Sequence, residues 1–217
     1  MRITSVIAVA VTTVCIILTA ASAIAADPVG RIEKIRGEAE RLHARGTEPL
    51  TVGSVVYTED VIRTGDAARL RIRFLDTSSL QLSENTEFLI DDLVYQGPES
   101  AANQSLVFLE GVFGFISGSI AQADREAVSL TTPVATIGIR GTQVVFGVLT
   151  VGMPPGEPHY GFQIWDGAVE ITSPVGSVTL DEPGEGTFLP LTRTAAPTPV
   201  RRWTEEEAAE ARDLLAF

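Results

Sequence analysis

The chain has 217 residues, a formal net charge of −12 and 45% hydrophobic residues, which suits a packed domain with short additions and argues against wholesale disorder. The excess of acidic residues argues against nucleic acid as a partner, because phosphate binding needs a basic face. The single cysteine, Cys15, excludes a disulfide framework and cysteine-based zinc sites, and the sequence leads us to expect no metal and no cofactor.

The first 25 residues have the order of a secretory signal peptide. Met1 and Arg2 precede an uncharged run that ends in small residues, and Ala23-Ile24-Ala25 forms an A-x-A pattern that predicts cleavage after Ala25. An uncleaved anchor is the alternative, since the run is long enough to span a bilayer. With cleavage, we expect the chain to reside in the periplasm or to be otherwise exported, and not to be embedded in a membrane.

The region from residue 26 to residue 192 shows strand periodicity and no long helical period. Alternating apolar residues recur at spacings of about ten residues, which predicts about a dozen short strands. Asp166-Gly167 stands between two such runs and predicts a two-residue hairpin. The sequence therefore indicates a mainly β domain, built as a sandwich, a roll or a short solenoid-like stack.

Residues 68–74 form the clearest predicted strand. Arg69, Arg71 and Arg73 alternate there with apolar residues. We expect these arginines to form a solvated face that pairs with acids of the next strand, such as Glu84 or Glu87.

The last 25 residues are predicted to form a linker and a helix. Residues 193–202 contain prolines and no apolar period, whereas residues 203–217 fit one amphipathic helix. Thr204 and Glu207 have the spacing of a capping box at its start. We expect this helix to pack on the β domain, with a partner-binding tail as the alternative.

Two segments interrupt the strand pattern, the polar residues 97–103 and the proline-rich residues 153–158. Each is predicted to be an exposed connection, with a binding loop as the alternative. The candidate binding loop consists of Pro154, Pro155, Gly156, Glu157 and Pro158.

Two sequence blocks carry a resemblance to a known family. The first, TGDAARLRIRFLD, runs from Thr64 to Asp76, and the second, TPVATIGIRGT, runs from Thr132 to Thr142. Together they resemble the FecR protein domain, named for the periplasmic part of the iron-dicitrate signal transducer, with the best matches over residues 57–146. The family usually has glycine where Thr77 stands here.

The resemblance implies a sensing or regulatory module. In the transducer proteins, a cytoplasmic segment that regulates a sigma factor and a membrane helix precede this domain, whereas here Met1 and Arg2 precede the apolar run. The resemblance therefore implies an exported, stand-alone module that binds another envelope or outer-membrane protein.

The residues of the two blocks are predicted to be mostly structural. They are Gly65, Asp66, Asp76, Thr132, Pro133, Gly138, Arg140, Gly141 and Thr142. The glycines are expected where short strands turn. Arg140 is a lone cation in an apolar stretch, so we expect a partly buried tie between two strands, whose loss costs roughly 1–3 kcal/mol, with a ligand-facing role as the alternative.

No catalytic motif supports an enzyme. The sequence has no G-x-S-x-G, no P-loop and no H-E-x-x-H. Three functions stay open: a regulatory protein-binding module, a structural envelope module that binds glycan or scaffolds a surface complex, and a hydrolase whose paired carboxylates the spacing does not reveal. We expect the first, and no catalysis.

Overall fold

The structure is a computed structural model, and it describes residues 27–217 apart from residue 45, residues 98–99, residue 125 and residues 153–158. The predicted signal peptide, with its cleavage site after Ala25, and the candidate binding loop at residues 154–158 lie outside the described residues.

The described residues form 18 strands and two helices. The strands are β1 (Gly30–Arg36), β2 (Ala39–His43), β3 (Gly46–Pro49), β4 (Val55–Val56), β5 (Val61–Thr64), β6 (Arg69–Phe74), β7 (Ser79–Leu82), β8 (Glu87–Val94), β9 (Asn103–Glu110), β10 (Val112–Ile116), β11 (Val128–Thr131), β12 (Thr136–Ile139), β13 (Gln143–Gly147), β14 (His159–Asp166), β15 (Val169–Ser173), β16 (Gly176–Leu180), β17 (Glu185–Pro190) and β18 (Arg201–Arg202). The helices are α1 (Ser119–Ala123) and α2 (Glu205–Leu215).

The strands make two sheets of nine. Sheet A has the order β18-β17-β14-β13-β10-β7-β6-β1-β4, and sheet B has the order β16-β15-β12-β11-β9-β8-β5-β2-β3. From β5 onward, the chain typically makes a hairpin within one sheet and then crosses to the other, so that corners alternate with hairpins. Among the described strands, the pairs are antiparallel except β9 with β11. The predicted mainly β fold is confirmed, and its arrangement is a sandwich.

The core lies between the two sheets. Alternate residues of each strand point inward, as the period of two requires. Phenylalanine rings from both sheets meet there: Phe108 of sheet B lies 4.5 Å from Phe113 and 4.7 Å from Phe146 of sheet A, measured between ring centroids. These contacts bring the two sheets together in one core.

Helix α2 covers the outer face of sheet A. It begins with the predicted capping box, in which the Thr204 and Glu207 side chains each accept from the other residue's backbone amide. Trp203 stacks on Phe188 with 4.9 Å between ring centroids, and Leu215 lies over Gly114 of β10. The predicted packing of the helix on the β domain is therefore confirmed. No helix within the described ranges is long and apolar enough to cross a membrane.

The predicted hairpin at Asp166-Gly167 is wrong. Strand β14 pairs with β13 and β17 in sheet A, whereas β15 pairs with β12 and β16 in sheet B. The dipeptide is instead a corner between the sheets. Gly167 has a φ of 81°, and a Cβ at this position would collide with the backbone of Gly141. The left-handed conformation that glycine allows is therefore used here to cross from one sheet to the other, and not to close a hairpin.

The predicted partners of the arginines on β6 are also wrong. Arg71 and Arg73 approach Glu33 of β1, at 4.0 and 3.4 Å. Strand β6 lies between β7 and β1 in sheet A, and its pairing with the distant β1 cannot be read from the order of strands along the chain. Arg69 is buried and donates to the carbonyl oxygen of Ala68 at 2.7 Å. The solvated face is therefore restricted to two of the three arginines.

Candidate functional site

Gly65 and Asp66 form the corner between β5 and β6. The Gly65 amide donates to the carbonyl oxygen of Glu38 at 2.9 Å, and the Ala67 amide donates to the carboxylate of Glu84 at 2.6 Å. Asp66 is exposed. This corner joins the two sheets at one end of the sandwich.

Asp76 fixes the turn between β6 and β7. Its side chain is fully buried, and Oδ1 accepts from the amide and from the hydroxyl of Ser78, at 3.0 and 2.5 Å. The Asp76 carbonyl oxygen accepts from the Ser119 amide at 2.8 Å. Asp76 thereby ties this turn to the start of α1. The neighbouring Thr77 has a φ of 69°, a conformation that suits glycine.

Thr132 and Pro133 shape the turn between β11 and β12. The Thr132 hydroxyl donates to the carbonyl oxygen of Ala135 at 2.8 Å and accepts from the Ala135 amide at 3.0 Å. Proline at the second position of such a turn presets its φ. These two residues close a hairpin.

Gly141 and Thr142 form a second corner between the sheets. Gly141 has a φ of 72°. The Thr142 hydroxyl donates to the carbonyl oxygen of Ala168 at 2.5 Å, and the Thr142 amide donates to the Ser117 hydroxyl at 2.8 Å. Thr142 therefore links this corner to the corner at Gly167 and to the end of β10.

Gly138 and Arg140 lie on the outer face of sheet B, whereas the motif residues described above lie at turns and corners. Gly138 lies within β12, so its predicted place in a turn is wrong. Arg140 follows β12, and its side chain is 45% exposed, so it is less buried than predicted. Arg140 donates to the Glu170 carboxylate of β15 at 3.1 Å. An exposed pair of this kind stabilises by less than about 1 kcal/mol, below the 1–3 kcal/mol predicted from burial.

A trough of about 520 Å³ lies over Gly138 on the outer face of sheet B. Its floor is open because Gly138 has no side chain, and its polar lining comes from Glu126, Ser129, Thr136, Arg140 and Glu170. The trough offers hydroxyl groups that donate or accept and an ion pair whose remaining donors and acceptors face solvent. This chemistry suits the recognition of polar groups, such as a polypeptide backbone.

A second groove of about 770 Å³ lies at the other motif block, beside Gly65. Residues of β2, β3 and β5 line it, among them Glu40, Pro49 and Arg63. Arg63 donates to the Glu87 carboxylate at 2.5 Å, and this hydrogen bond raises the pKa of the guanidinium above its usual value. Each motif block therefore borders one depression associated with sheet B.

Sequence reasoning missed several residues of these two depressions. Glu126, Ser129 and Glu170 meet Gly138 only because β11, β12 and β15 are neighbours in sheet B. The sequence shows polar residues at alternate positions of each predicted strand. It does not show the order of the strands in the sheet, and that order decides which polar residues become neighbours. Within the described ranges, no group of three or more histidine, cysteine, aspartate or glutamate side chains could hold a metal ion.

Comparison with solved structures shows a similar fold. Two crystal structures of a candidate anti-sigma factor from Parabacteroides distasonis ATCC 8503 each superpose with a TM-score of 0.51 and 13% sequence identity. Each alignment covers 69% of this chain and 62% of the solved chain, so this chain matches less than two thirds of that protein's length. No curated protein matches this chain in sequence.

A family model covers both motif blocks. The model described as FecR protein matches residues 60–170, just over half of the chain, and confirms the resemblance drawn from the sequence. The matched region includes the corners at Gly65 and Gly141, the buried Asp76 and the trough over Gly138. The chain belongs to the FecR family.

Proposed function

We propose that this protein is an exported, non-catalytic regulatory module that binds another protein of the bacterial envelope through the outer face of sheet B. Membership of the FecR family supports a role in regulatory signalling. The observation that carries the proposal is that Gly138 and Arg140, two residues of the second motif block, line a trough on a sheet face that no described helix covers.

The two outer faces of the sandwich differ in their coverage. Helix α2 packs over sheet A and contributes Ala211 and Leu215 to an apolar cluster with that face. Sheet B has no such helix among the described residues, and its outer face carries the trough over Gly138. A partner therefore reaches sheet B without displacing any part of the chain that the structure describes.

Export is the part of the proposal that rests on the sequence. The A-x-A pattern ending at Ala25 and the acidic, cysteine-poor composition suit a protein outside the inner membrane. FecR domains are typically periplasmic. The partner would then be another envelope or outer-membrane protein.

Two glycine variants test the proposal with matched chemistry. A Cβ at Gly138 or at Gly65 meets no atom closer than 3.6 Å, and neither residue has a positive φ. Gly138→Trp fills the trough and Gly65→Trp fills the groove, and both should keep the fold. The chain from residue 26 to residue 217, wild type or variant, is immobilised and exposed to an envelope extract, and captured protein and glycan are measured separately.

The proposal expects the wild type to retain a protein that Gly138→Trp retains much more weakly, with Gly65→Trp as the control. Equal capture by all three chains would contradict a role for the trough. Retention of polysaccharide without protein would replace the proposal with the glycan-binding alternative.

A further inference from the structure

One row of outward-facing residues crosses sheet B from β2 to the edge strand β16. The strand registers join Leu42, Val61, Leu89, Val107, Thr131 and Thr136 as successive cross-strand neighbours. The row continues to the last strand, β16, through Thr172 and Ser177. Its two halves differ, because four apolar residues are followed by four residues that carry hydroxyl groups.

The apolar half is partly exposed to solvent, although its strands also contribute to the core. Leu42, Val61, Leu89 and Val107 are each partly exposed, and their inward neighbours Ile62 and Phe88 are fully buried. Leu109 extends the apolar surface as the extra residue of a β-bulge opposite Glu87, and it is 47% exposed. A contiguous apolar surface on an open sheet face is typical of an interaction site.

Acidic side chains flank this apolar row. The cross-strand neighbours on one side are Glu40, Arg63, Glu87 and Glu110, so three carboxylates face one guanidinium that is already paired with Glu87. Asp91 is exposed on the other side. A second copy of the chain would bring like charges together, whereas lysine or arginine side chains would complement them.

The dimensions of the row match those of a helix that lies across the strands. Neighbouring strands are about 4.8 Å apart, so the four apolar residues span about 14 Å. A helix rises about 5.4 Å per turn, and about three turns place one apolar side chain near each strand. Residues 203–217, which contain helix α2, cross sheet A in this manner. Trp203 lies over Gly186 of β17, and the ring centroid of Phe217 lies 5.2 Å from the Arg71 guanidinium of β6.

We propose that the apolar row Leu42–Val61–Leu89–Val107 is the docking surface for an amphipathic helix of the partner protein, with basic residues flanking the apolar side of that helix. This inference rests on the proposed function and names the chemistry of the partner. Sheet B would then carry a partner's helix where sheet A carries the chain's own.

A synthetic peptide tests the surface directly. The probe is a helix of about 14 residues built from leucine and lysine, with leucine at positions i, i+3, i+4, i+7 and i+11, and its control has glutamate in place of lysine. Binding to the mature chain is measured by fluorescence anisotropy at about 0.15 M salt, where distant charges are screened. The variants are Val107→Asp in the apolar half and Ser177→Asp in the hydroxyl half of the same row, outside the trough over Gly138.

The expected result is binding of the lysine peptide that weakens roughly tenfold or more in Val107→Asp and stays within about twofold in Ser177→Asp. Both variants add one negative charge, so non-specific attraction would strengthen in both. Equal binding by the two variants, or equal binding of the glutamate peptide, would overturn the inference. So would a wild-type dimer in sedimentation that Val107→Asp dissociates, which would assign the row to a second copy.

The envelope extract separates this inference from the proposed function. If the wild type captures no envelope protein, the proposed function fails. If the wild type captures one and Val107→Asp captures it equally, the apolar row alone is wrong.

Discussion

Thr77 holds a backbone conformation that its side chain disfavours. Its φ of 69° lies in the left-handed region, where a β-branched residue is strained by roughly 1–3 kcal/mol. Thr77 is exposed, and its amide donates to the carbonyl oxygen of Phe74 at 3.1 Å, so the turn depends on the backbone. Asp76 and Ser78 on either side hold the turn in place.

We therefore expect Thr77→Gly to stabilise the protein by about 1 kcal/mol, after the extra freedom of glycine in the unfolded chain is subtracted. The free energy of unfolding in urea measures this change. Thr136→Gly is the control, because Thr136 is exposed within β12 and its replacement should destabilise by about 0.5–1 kcal/mol. A loss of stability in Thr77→Gly would show that the threonine side chain supports the turn.

At the scale of elements, the corners between the sheets are the most constrained parts of the chain. Gly167 combines a φ of 81° with contact to the backbone of Gly141, so that any side chain meets both strain and collision. Gly184 has a similar φ of 89°, but a Cβ there meets no atom within 4 Å. A side chain at Gly184 would meet backbone strain alone, whereas a side chain at Gly167 would meet backbone strain and a steric collision. Comparing the two positions therefore isolates the cost of the collision.

Gly167→Ala should destabilise the protein by about 3 kcal/mol or more, and Gly184→Ala by about 1 kcal/mol. Chemical unfolding of both variants measures the difference. Similar decreases in the free energy of unfolding in the two variants would contradict this account. They would mean that the backbone at Gly167 can move away from Gly141 without destabilising the protein.

The elements also show what sequence alone can predict. Alternation around Leu70, Ile72 and Phe74 predicts their burial, because the period of two is a local property. Strand order is not local. The pairing of β6 with β1 gives Arg73 its partner Glu33, and the separation of β14 from β15 turns Asp166-Gly167 into a corner. For the same reason, the sequence shows Gly138 and Arg140 but not the strands that bring Glu126 and Glu170 beside them.

At the scale of the whole molecule, a buried carboxylate helps to attach α2 to sheet A. Glu207 accepts from both terminal nitrogens of the Arg201 guanidinium, at 2.6 and 2.9 Å, and from the Thr204 amide at 2.7 Å. The hydrogen bonds from Arg201 lower the pKa of Glu207 to about 2. The neighbouring Glu210 accepts from the amides of Thr150 and Val151, which lead into the β13–β14 loop.

A lowered pKa makes the contribution of Glu207 dependent on pH. The contribution is fully present above the unfolded value of about 4.3 and is lost as the pH falls through about 2. Because Arg201 is half exposed, we expect Glu207→Gln to cost about 1–2 kcal/mol at pH 7 and almost nothing at pH 2. Urea unfolding followed by tryptophan fluorescence measures both values, since Trp203 lies at the start of the helix.

Glu206→Gln is the matched control, because Glu206 lies in the same helical turn and is exposed. Its stability should follow that of the wild type between pH 2 and pH 7. A constant deficit of Glu207→Gln across this range would contradict the account of α2.

The central claim is that a partner binds the outer face of sheet B and leaves the outer face of sheet A to α2. The one cysteine of the chain is Cys15, so a cysteine introduced after residue 26 is unique in a chain cleaved at the predicted site. Thr136→Cys places a photo-crosslinker on sheet B, and Arg73→Cys places the same group on sheet A. The most direct measurement is the yield of protein adducts from each chain, irradiated in an envelope extract. The account predicts one dominant adduct from Thr136→Cys, reduced by Gly138→Trp, and little from Arg73→Cys, whereas equal yields or a dominant adduct from Arg73→Cys would contradict it.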